Sequence, residues 1–183
     1  MRSIIVEAEV SLDGVVASEE PEFWGQVFKF HGEDVVAYLN ELLATPDALL
    51  MGRATYESFA QIWPARDGQQ ADTIHAMPKY VASRSLKEPL AWNASLLQGD
   101  AAEEIGKLKQ QSGRPLLQYG VGELTRTMLQ HGLVDEIRLV VFPFYYGRGP
   151  RIFENFDAAS LKLVESTTFS SGAIALHYQP GQG

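Results

Sequence analysis

Apolar and polar positions fall into short blocks whose period changes along the chain. Ile4-Ile5-Val6 is a continuous apolar run that passes into the alternation Glu7-Ala8-Glu9-Val10, the pattern of a strand buried on at least one face. Ala48–Met51 is a second short run, bounded by Thr45-Pro46-Asp47 and Gly52, and suits a central parallel strand. From Thr55 the spacing becomes helical: Tyr56, Phe59 and Ile62 recur until Trp63-Pro64. Glu33–Ala44 predicts an amphipathic helix, with Val35, Val36, Leu39, Leu42 and Leu43 on one face and Glu33 and Asp34 at its positive end. Further strands are expected at Lys79–Ser83, Leu90–Ser95, Pro115–Tyr119 and Val134–Phe142, and helices at Asp100–Gln111 and Glu123–Gln130. Leu161–Thr168 and Gly172–Tyr178 predict an antiparallel C-terminal pair. Ser18–Gly32, Ala65–Ala71 and Pro143–Arg151 read as loops, and residues 179–183 as a disordered tail. Strands that alternate with helices and then follow one another predict a single α/β domain over residues 1–183. Its central sheet is mostly parallel, flanked by helices, with an antiparallel C-terminal edge.

Composition narrows the function. The chain has 183 residues, 45% apolar and 21% charged, as in an ordinary globular domain. A net charge of −8 speaks against nucleic acid as a partner, though a few local cations can still hold an anionic cofactor. There is no cysteine, which removes thiolate metal sites and cysteine nucleophiles. His31, His75, His131 and His177 lack metal-ligand spacing, so no metal is expected. No apolar run reaches about 18 residues and the start lacks a signal-peptide core; a cytoplasmic protein without membrane contact is expected.

Three strand ends carry anion-friendly groups. Gly52-Arg53-Ala54-Thr55 opens a helix directly after a strand, where free N–H groups and the dipole favour an anion. The same residues also fit a plain helix start with a capping threonine and a surface arginine. Ser83-Arg84-Ser85 places hydroxyls and a guanidinium at a second strand end. Gly120-Val121-Gly122, before Glu123-Leu124, lets backbone approach a pyrophosphate, although Thr125 stands where a dinucleotide fingerprint has its third glycine. A Walker A loop is excluded because no Gly-Lys-Ser/Thr occurs. Ligands of open α/β sheets sit beyond the carboxyl ends of parallel strands. The three ends together suit one extended polyanion, a dinucleotide, and two arginines near one end favour the 2′-phosphate of NADP over NAD.

The order Ser11-Leu12-Asp13-Gly14, Met51-Gly52-Arg53-Ala54-Thr55-Tyr56-Glu57, Val81-Ala82-Ser83-Arg84-Ser85-Leu86, Gly120-Val121-Gly122-Glu123-Leu124, Asp135-Glu136-Ile137-Arg138-Leu139 and Gly147-Arg148-Gly149 resembles a known family over Ile4 to Tyr178. That family comprises the stand-alone relatives of the C-terminal reductase domain of the riboflavin-biosynthesis deaminase–reductase, which share the dihydrofolate reductase fold. The resemblance implies NADPH as cofactor. It implies Arg53 and Thr55 at its phosphates, Ser83 and Arg84 at the adenosine end, and Gly120, Val121, Gly122, Glu123 and Leu124 around the pyrophosphate. Val16 and Ala17 would lie against the nicotinamide. Asp13 would orient its loop or touch substrate; a turn-former bonding its own backbone is the alternative. Trp24, with Phe23, Phe28 and Phe30, would face a flat substrate or cover the core edge. The chain has Gly120-Val121 where folate reductases have paired glycines, and Glu33 and Asp34 near their acidic residue are explained by a helix start.

The expected activity is hydride transfer from NADPH to a small heterocycle. The nearest named reaction is that of 5-amino-6-(5-phosphoribosylamino)uracil reductase. Reduction of dihydrofolate or another pterin, and a catalytically silent NADP-binding module, are the alternatives. A homodimer is expected from the aromatics Phe142, Phe144, Tyr145, Tyr146 and Phe153; packing within one subunit is the other reading.

Overall fold

The computed structural model describes residues 1–16 and 20–181. Eight strands form one sheet in the order β4-β3-β2-β5-β1-β6-β8-β7. They are β1 (Ile4–Ser11), β2 (Ala48–Gly52), β3 (Lys79–Ala82), β4 (Ala94–Leu96), β5 (Leu116–Tyr119), β6 (Glu136–Phe142), β7 (Leu161–Thr168) and β8 (Ile174–Pro180). Every pairing from β4 to β6 is parallel. Strand β8 runs against both β6 and β7, which makes the antiparallel edge. The arrangement is the dihydrofolate reductase-like fold expected from the chain. Six helices flank the sheet: α1 (Pro21–Val27), α2 (Glu33–Ala44), α3 (Arg53–Ile62), α4 (Gln69–Ala76), α5 (Ala101–Gln110) and α6 (Glu123–Gln130). Among the described residues no helix is long and apolar enough to cross a membrane.

The run Ile4-Ile5-Val6 is buried on both sides because β1 lies mid-sheet. Ile4, Val6, Ala8 and Val10 pack with Ile105 and Leu108 of α5 and Met128 of α6. Ile5 points the other way, to Leu42, Leu43, Met51, Tyr56 and Ile74. A third cluster gathers Phe23, Val27, Val35, Val140, Phe142, Phe169 and Ala175. Helix α5 begins where Asp100 caps it, accepting from the N–H groups of Ala102 (2.9 Å) and Glu103 (3.1 Å).

Several local expectations need correction. Of the expected loop Ser18–Gly32, the described residues from Glu20 are not irregular: α1 occupies Pro21–Val27, with Pro21 in the first turn and Phe23 and Val27 buried one turn apart, and a 3₁₀ turn follows at Phe28–Phe30. The polar stretch 65–71, expected as a loop, runs into α4, which buries only Ala71 and Ile74. Strand β4 starts at Ala94 because Trp92 and Asn93 adopt positive φ angles of 62° and 52°. Helix α3 begins two residues before Thr55, so Gly52 is its cap and no side chain caps it. The tail is ordered further than expected: Gln179 and Pro180 complete β8, and the Gly181 N–H donates to the Ser160 carbonyl (2.8 Å).

The two ends of the parallel strands differ in how charge is handled. At the N-terminal end Arg2, 6% exposed, pairs with Asp47, and its Nε donates to the Arg114 carbonyl (2.7 Å). Lys109 pairs with Asp135, whose Oδ2 also accepts from the Ile4 N–H (2.8 Å). Both pairs are closed within the fold. The C-terminal end is not closed in this way.

Candidate functional site

The C-terminal ends of β3, β2, β5 and β1 are consecutive neighbours in the sheet. Ser83-Arg84, Gly52-Arg53-Ala54-Thr55, Gly120-Val121-Gly122 and the Ser11–Gly14 turn therefore stand side by side in that order. Strands lie about 4.8 Å apart, so the row spans roughly 15 Å. That length suits an extended ligand better than a single phosphate.

Backbone geometry leaves the row open. Gly120 holds a φ of +80°, a conformation that favours glycine, and its N–H donates to the Glu7 carbonyl (2.7 Å). A Cβ built on Gly52, Gly120 or Gly122 would meet nothing within 4 Å. Thr125 Oγ1 accepts from the Gly122 N–H (3.2 Å) and exchanges hydrogen bonds with the Gln118 side chain (2.9 and 3.0 Å), which fixes the turn into α6. Val121 is buried beneath that turn, while Gly122 and Glu123 are exposed and Leu124 packs against the core.

The cations are free to take an anion. Arg53 is 55% exposed and meets only Glu57, one turn along α3, at 3.5 Å. A contact of that length and exposure holds it weakly. Arg84 is exposed and makes no hydrogen bond or ion pair among the described residues. Thr55 is half-buried on the first turn of α3. Ser83 Oγ accepts from the N–H groups of Ser85 (3.2 Å) and Leu86 (3.0 Å) and lies 3.5 Å from Ser85 Oγ, so it builds its own turn. Glycines under open space, unsatisfied helix N–H groups and two uncommitted guanidinium groups fit the phosphates of NADPH.

Asp13 organises its loop, one of the two roles expected of it. Its Oδ1 accepts from Ser11 Oγ (2.7 Å) and the Tyr146 N–H (2.9 Å), and its Oδ2 from the Gly147 N–H (2.9 Å). Arg151 Nη2 stands 3.6 Å away. Partial burial would raise the Asp13 carboxyl, but these hydrogen bonds outweigh it and hold it at about 2. Val16 is 3% exposed in the core, and its N–H donates to the Pro150 carbonyl (3.0 Å), so a ligand could meet it only through its carbonyl. Ala17 lies outside the described residues. Trp24 sits on α1, edge-on to Phe23 at 5.4 Å and beside Phe28 at 6.1 Å; Phe28 in turn meets His31 at 5.3 Å.

A second polar region went unnoticed in the sequence. Tyr119, Glu7, Arg138 and His177 are register partners across β5, β1, β6 and β8, so they share one row on one face of the sheet. Glu9 and Glu136 lie on the same face, on either side of that row. Arg138 is committed to Glu136, donating from Nε (3.0 Å) and Nη2 (2.7 Å), and His177 Nε2 stands 3.1 Å from the same carboxylate. Glu7 is 2% exposed, and its Oε1 has no hydrogen-bond partner among the described residues. Glu9 Oε1 lies 2.9 Å from His31 Nε2 without hydrogen-bond alignment. Burial, with the Glu9 charge beside it, holds the Glu7 carboxyl well above the usual range. Burial and the same two carboxylates push the Tyr119 hydroxyl well up. The only available signal was Glu7-Ala8-Glu9, which reads as a half-exposed strand.

With the edge and the stripe in view, comparison with known proteins settles the family. Residues 2–175 match the RibD C-terminal domain. The chain belongs to that family. A curated relative, the uncharacterised protein YyaP of Bacillus subtilis, is 30% identical over 97% of this chain and 94% of its own. A putative riboflavin biosynthesis protein from Shewanella superposes with a TM-score of 0.74 at 22% identity, over 98% of this chain and 99% of that one. A diaminohydroxyphosphoribosylaminopyrimidine deaminase/5-amino-6-(5-phosphoribosylamino)uracil reductase from Thermotoga maritima superposes with a TM-score of 0.66 at 14% identity; 98% of this chain covers 56% of that one. These structures share the fold, and this RibD C-terminal domain protein corresponds to about half of the Thermotoga chain.

Proposed function

We propose that this RibD C-terminal domain protein is an NADPH-dependent reductase that delivers hydride to a small, flat heterocycle. The observation that carries the reading is the row of four adjacent strand ends, with open glycines at its centre and the weakly held Arg53 and the exposed Arg84 at one end. Arg53 and Thr55 hold the phosphates nearest α3, Ser83 and Arg84 the adenosine end, and Gly120–Leu124 the pyrophosphate at the start of α6. NADPH supplies the hydride. The protein positions the reactants and excludes water. The nearest named reaction is that of 5-amino-6-(5-phosphoribosylamino)uracil reductase, supported by the family and by the name of the Thermotoga neighbour. A steady-state assay with dihydrofolate separates this reading from a pterin reductase.

Titration with NADPH and NADH tests the cofactor. Arg53→Ala is expected to weaken NADPH about 10- to 100-fold, the worth of a charge-assisted hydrogen-bonded pair, and to leave NADH nearly unchanged. Equal loss for both would remove the 2′-phosphate assignment.

We also propose a homodimer, on a different surface from the aromatic loop. Phe144 stacks on Phe30 at 6.0 Å, Tyr146 meets Phe23 at 5.3 Å, Phe153 meets Phe156 at 5.5 Å and Phe142 is fully buried, so those rings pack within the subunit. Only Tyr145, 82% exposed, is left outward. Strand β7 is one of the two edges of the sheet, longer than β4 at the other, and its Leu163 and Val164 are about half exposed. A monomer mass by light scattering at micromolar concentration would end this proposal.

A further inference from the structure

Residues 153–161 pass along the flank of α6 on their way to β7, and they do not close onto it. Between them lies a cavity of about 500 Å³, at the margin of the apolar cluster under α5 and α6. None of the strand-end residues proposed to hold the cofactor lines it. Its floor is Leu129, Ile137, Phe153 and Phe156, with the two rings edge-on at 5.5 Å. Phe153 holds a φ of 58°, an unfavourable conformation for a bulky residue, so the wall keeps this shape against local preference. The charged side chains of the lining are one cation and one carboxylate, Arg126 and Asp157. The Asp157 side chain makes no hydrogen bond or ion pair among the described residues. Arg126 donates to Glu123 (2.5 Å) and reaches the Asn155 carbonyl at 3.5 Å. Glu123 is 83% exposed, so it is a weak partner that a ligand carboxylate seated in the cavity can replace. An apolar floor with few polar groups, in a volume of this size, is the make-up of a small-molecule site.

We propose that this cavity takes a free aromatic α-amino acid, and that the ligand opposes cofactor binding. The ring packs against Phe153 and Phe156, the carboxylate pairs with Arg126 and the ammonium with Asp157. A plain anion would meet Asp157 unfavourably, and a plain cation would meet Arg126; a zwitterion suits both. The coupling runs through Glu123. It is the first residue of α6, within the proposed pyrophosphate cradle, and Arg126 balances its charge. Once the ligand takes Arg126, the Glu123 carboxylate stands unbalanced beside the cofactor phosphates and repels them. The coupling rests on the reductase reading above; occupation of the cavity does not.

The probe is L-tryptophan, titrated into the full-length protein by calorimetry with and without NADPH. The wild type is expected to bind it, and saturating tryptophan to weaken NADPH about threefold, the worth of an exposed ion pair. Saturating NADPH must then weaken tryptophan by the same factor. Indole-3-propionate, which lacks the ammonium, is expected to bind about threefold more weakly than tryptophan. Arg126→Gln is expected to weaken tryptophan about tenfold or more, to weaken NADPH as the ligand does, and to remove any further effect of tryptophan on NADPH. Asp157→Asn is expected to weaken tryptophan about threefold with NADPH affinity unchanged. No binding of tryptophan at millimolar concentration overturns the site, and so does an affinity unchanged in both variants. Tryptophan and NADPH that bind independently overturn the coupling. A wild type that takes tryptophan but no NADPH overturns the reductase reading and the coupling, and leaves the cavity site in place. Should Arg126→Gln lose its fold by circular dichroism, Asp157→Asn and indole-3-propionate decide.

Discussion

The two faces of the sheet are built on different terms. Under α5 and α6 the face is one continuous apolar cluster, from Ile4, Val6 and Val10 through Ile105 and Met128 to Ile137 and Leu139. Under α2 the face is divided. One apolar cluster surrounds Ile5 and Met51, another surrounds Val140 and Phe142, and Glu7, Glu9, Arg138 and His177 run between them. A continuous face contributes burial along its length, and its buried polar pair, Gln118 and Thr125, is bonded to itself. A divided face gives up burial along the gap and gains polar groups held on rigid strands beside the cofactor edge. The comparison teaches that stability and chemistry are assigned to opposite sides of the same strands, and β1 serves both through its alternation.

The largest effect should come from breaking the continuous face. Ile105 is fully buried in it. Ile105→Ala is expected to lower stability by about 2–5 kcal/mol, from lost transfer energy plus the cavity left behind. Urea denaturation followed by circular dichroism measures it. A loss below about 1 kcal/mol would mean that this face repacks freely and is not the structural side.

The continuous face was also the readable one. Its strands are short apolar runs between turn residues, and its helix Glu123–Gln130 was bounded correctly because Gly122 and Gly132 flank it. The cofactor edge was readable for a similar reason: glycine, arginine and hydroxyl residues cluster within a few positions at each strand end. Helix α4 was missed because Gln69, Gln70 and Asp72 outweigh the two residues it buries. Helix α1 was missed because its Phe23/Val27 pair covers less than two turns. The divided face was invisible for a deeper reason. Tyr119, Glu7, Arg138 and His177 are far apart in the chain, and only the strand order places them in one row. Glu7 and Glu9 alternate with Ala8 and Val10, as they would on a strand facing water.

A middle-sized effect separates polar groups that hold the fold from those that do not. Asp13 is as polar as Glu7, yet its oxygens are satisfied by Ser11, Tyr146 and Gly147. Asp13→Asn is expected to cost about 1–2 kcal/mol and to free residues 143–151, seen as faster hydrogen exchange there. Its folded value of about 2 lies below the ordinary 3.8. The carboxylate's stabilisation is therefore complete above pH 3.8 and disappears as pH falls through about 2, so wild type and variant should converge over that range. Parallel curves would assign the loop's order to Arg151 instead.

The smallest effect is the sharpest test of the divided face. Glu7→Gln keeps shape and removes titration. Because burial raises the Glu7 carboxyl above 4.5, its contribution to stability is complete below that value and is lost as pH rises through the folded one. Glutamine does not titrate, so the variant should gain on the wild type as pH rises, with little difference near pH 4.5. Glu9, Tyr38, Tyr119, Glu136, Arg138 and His177 face the same stripe and are present in both proteins, so subtracting the two urea midpoints at each pH leaves Glu7 together with its coupling to Glu9 and the two tyrosines. A variant less stable by about 2 kcal/mol at every pH would place Glu7 with Asp13, among the groups that hold the fold. A gap that opens with pH would mean that the fold tolerates this carboxyl at a net loss.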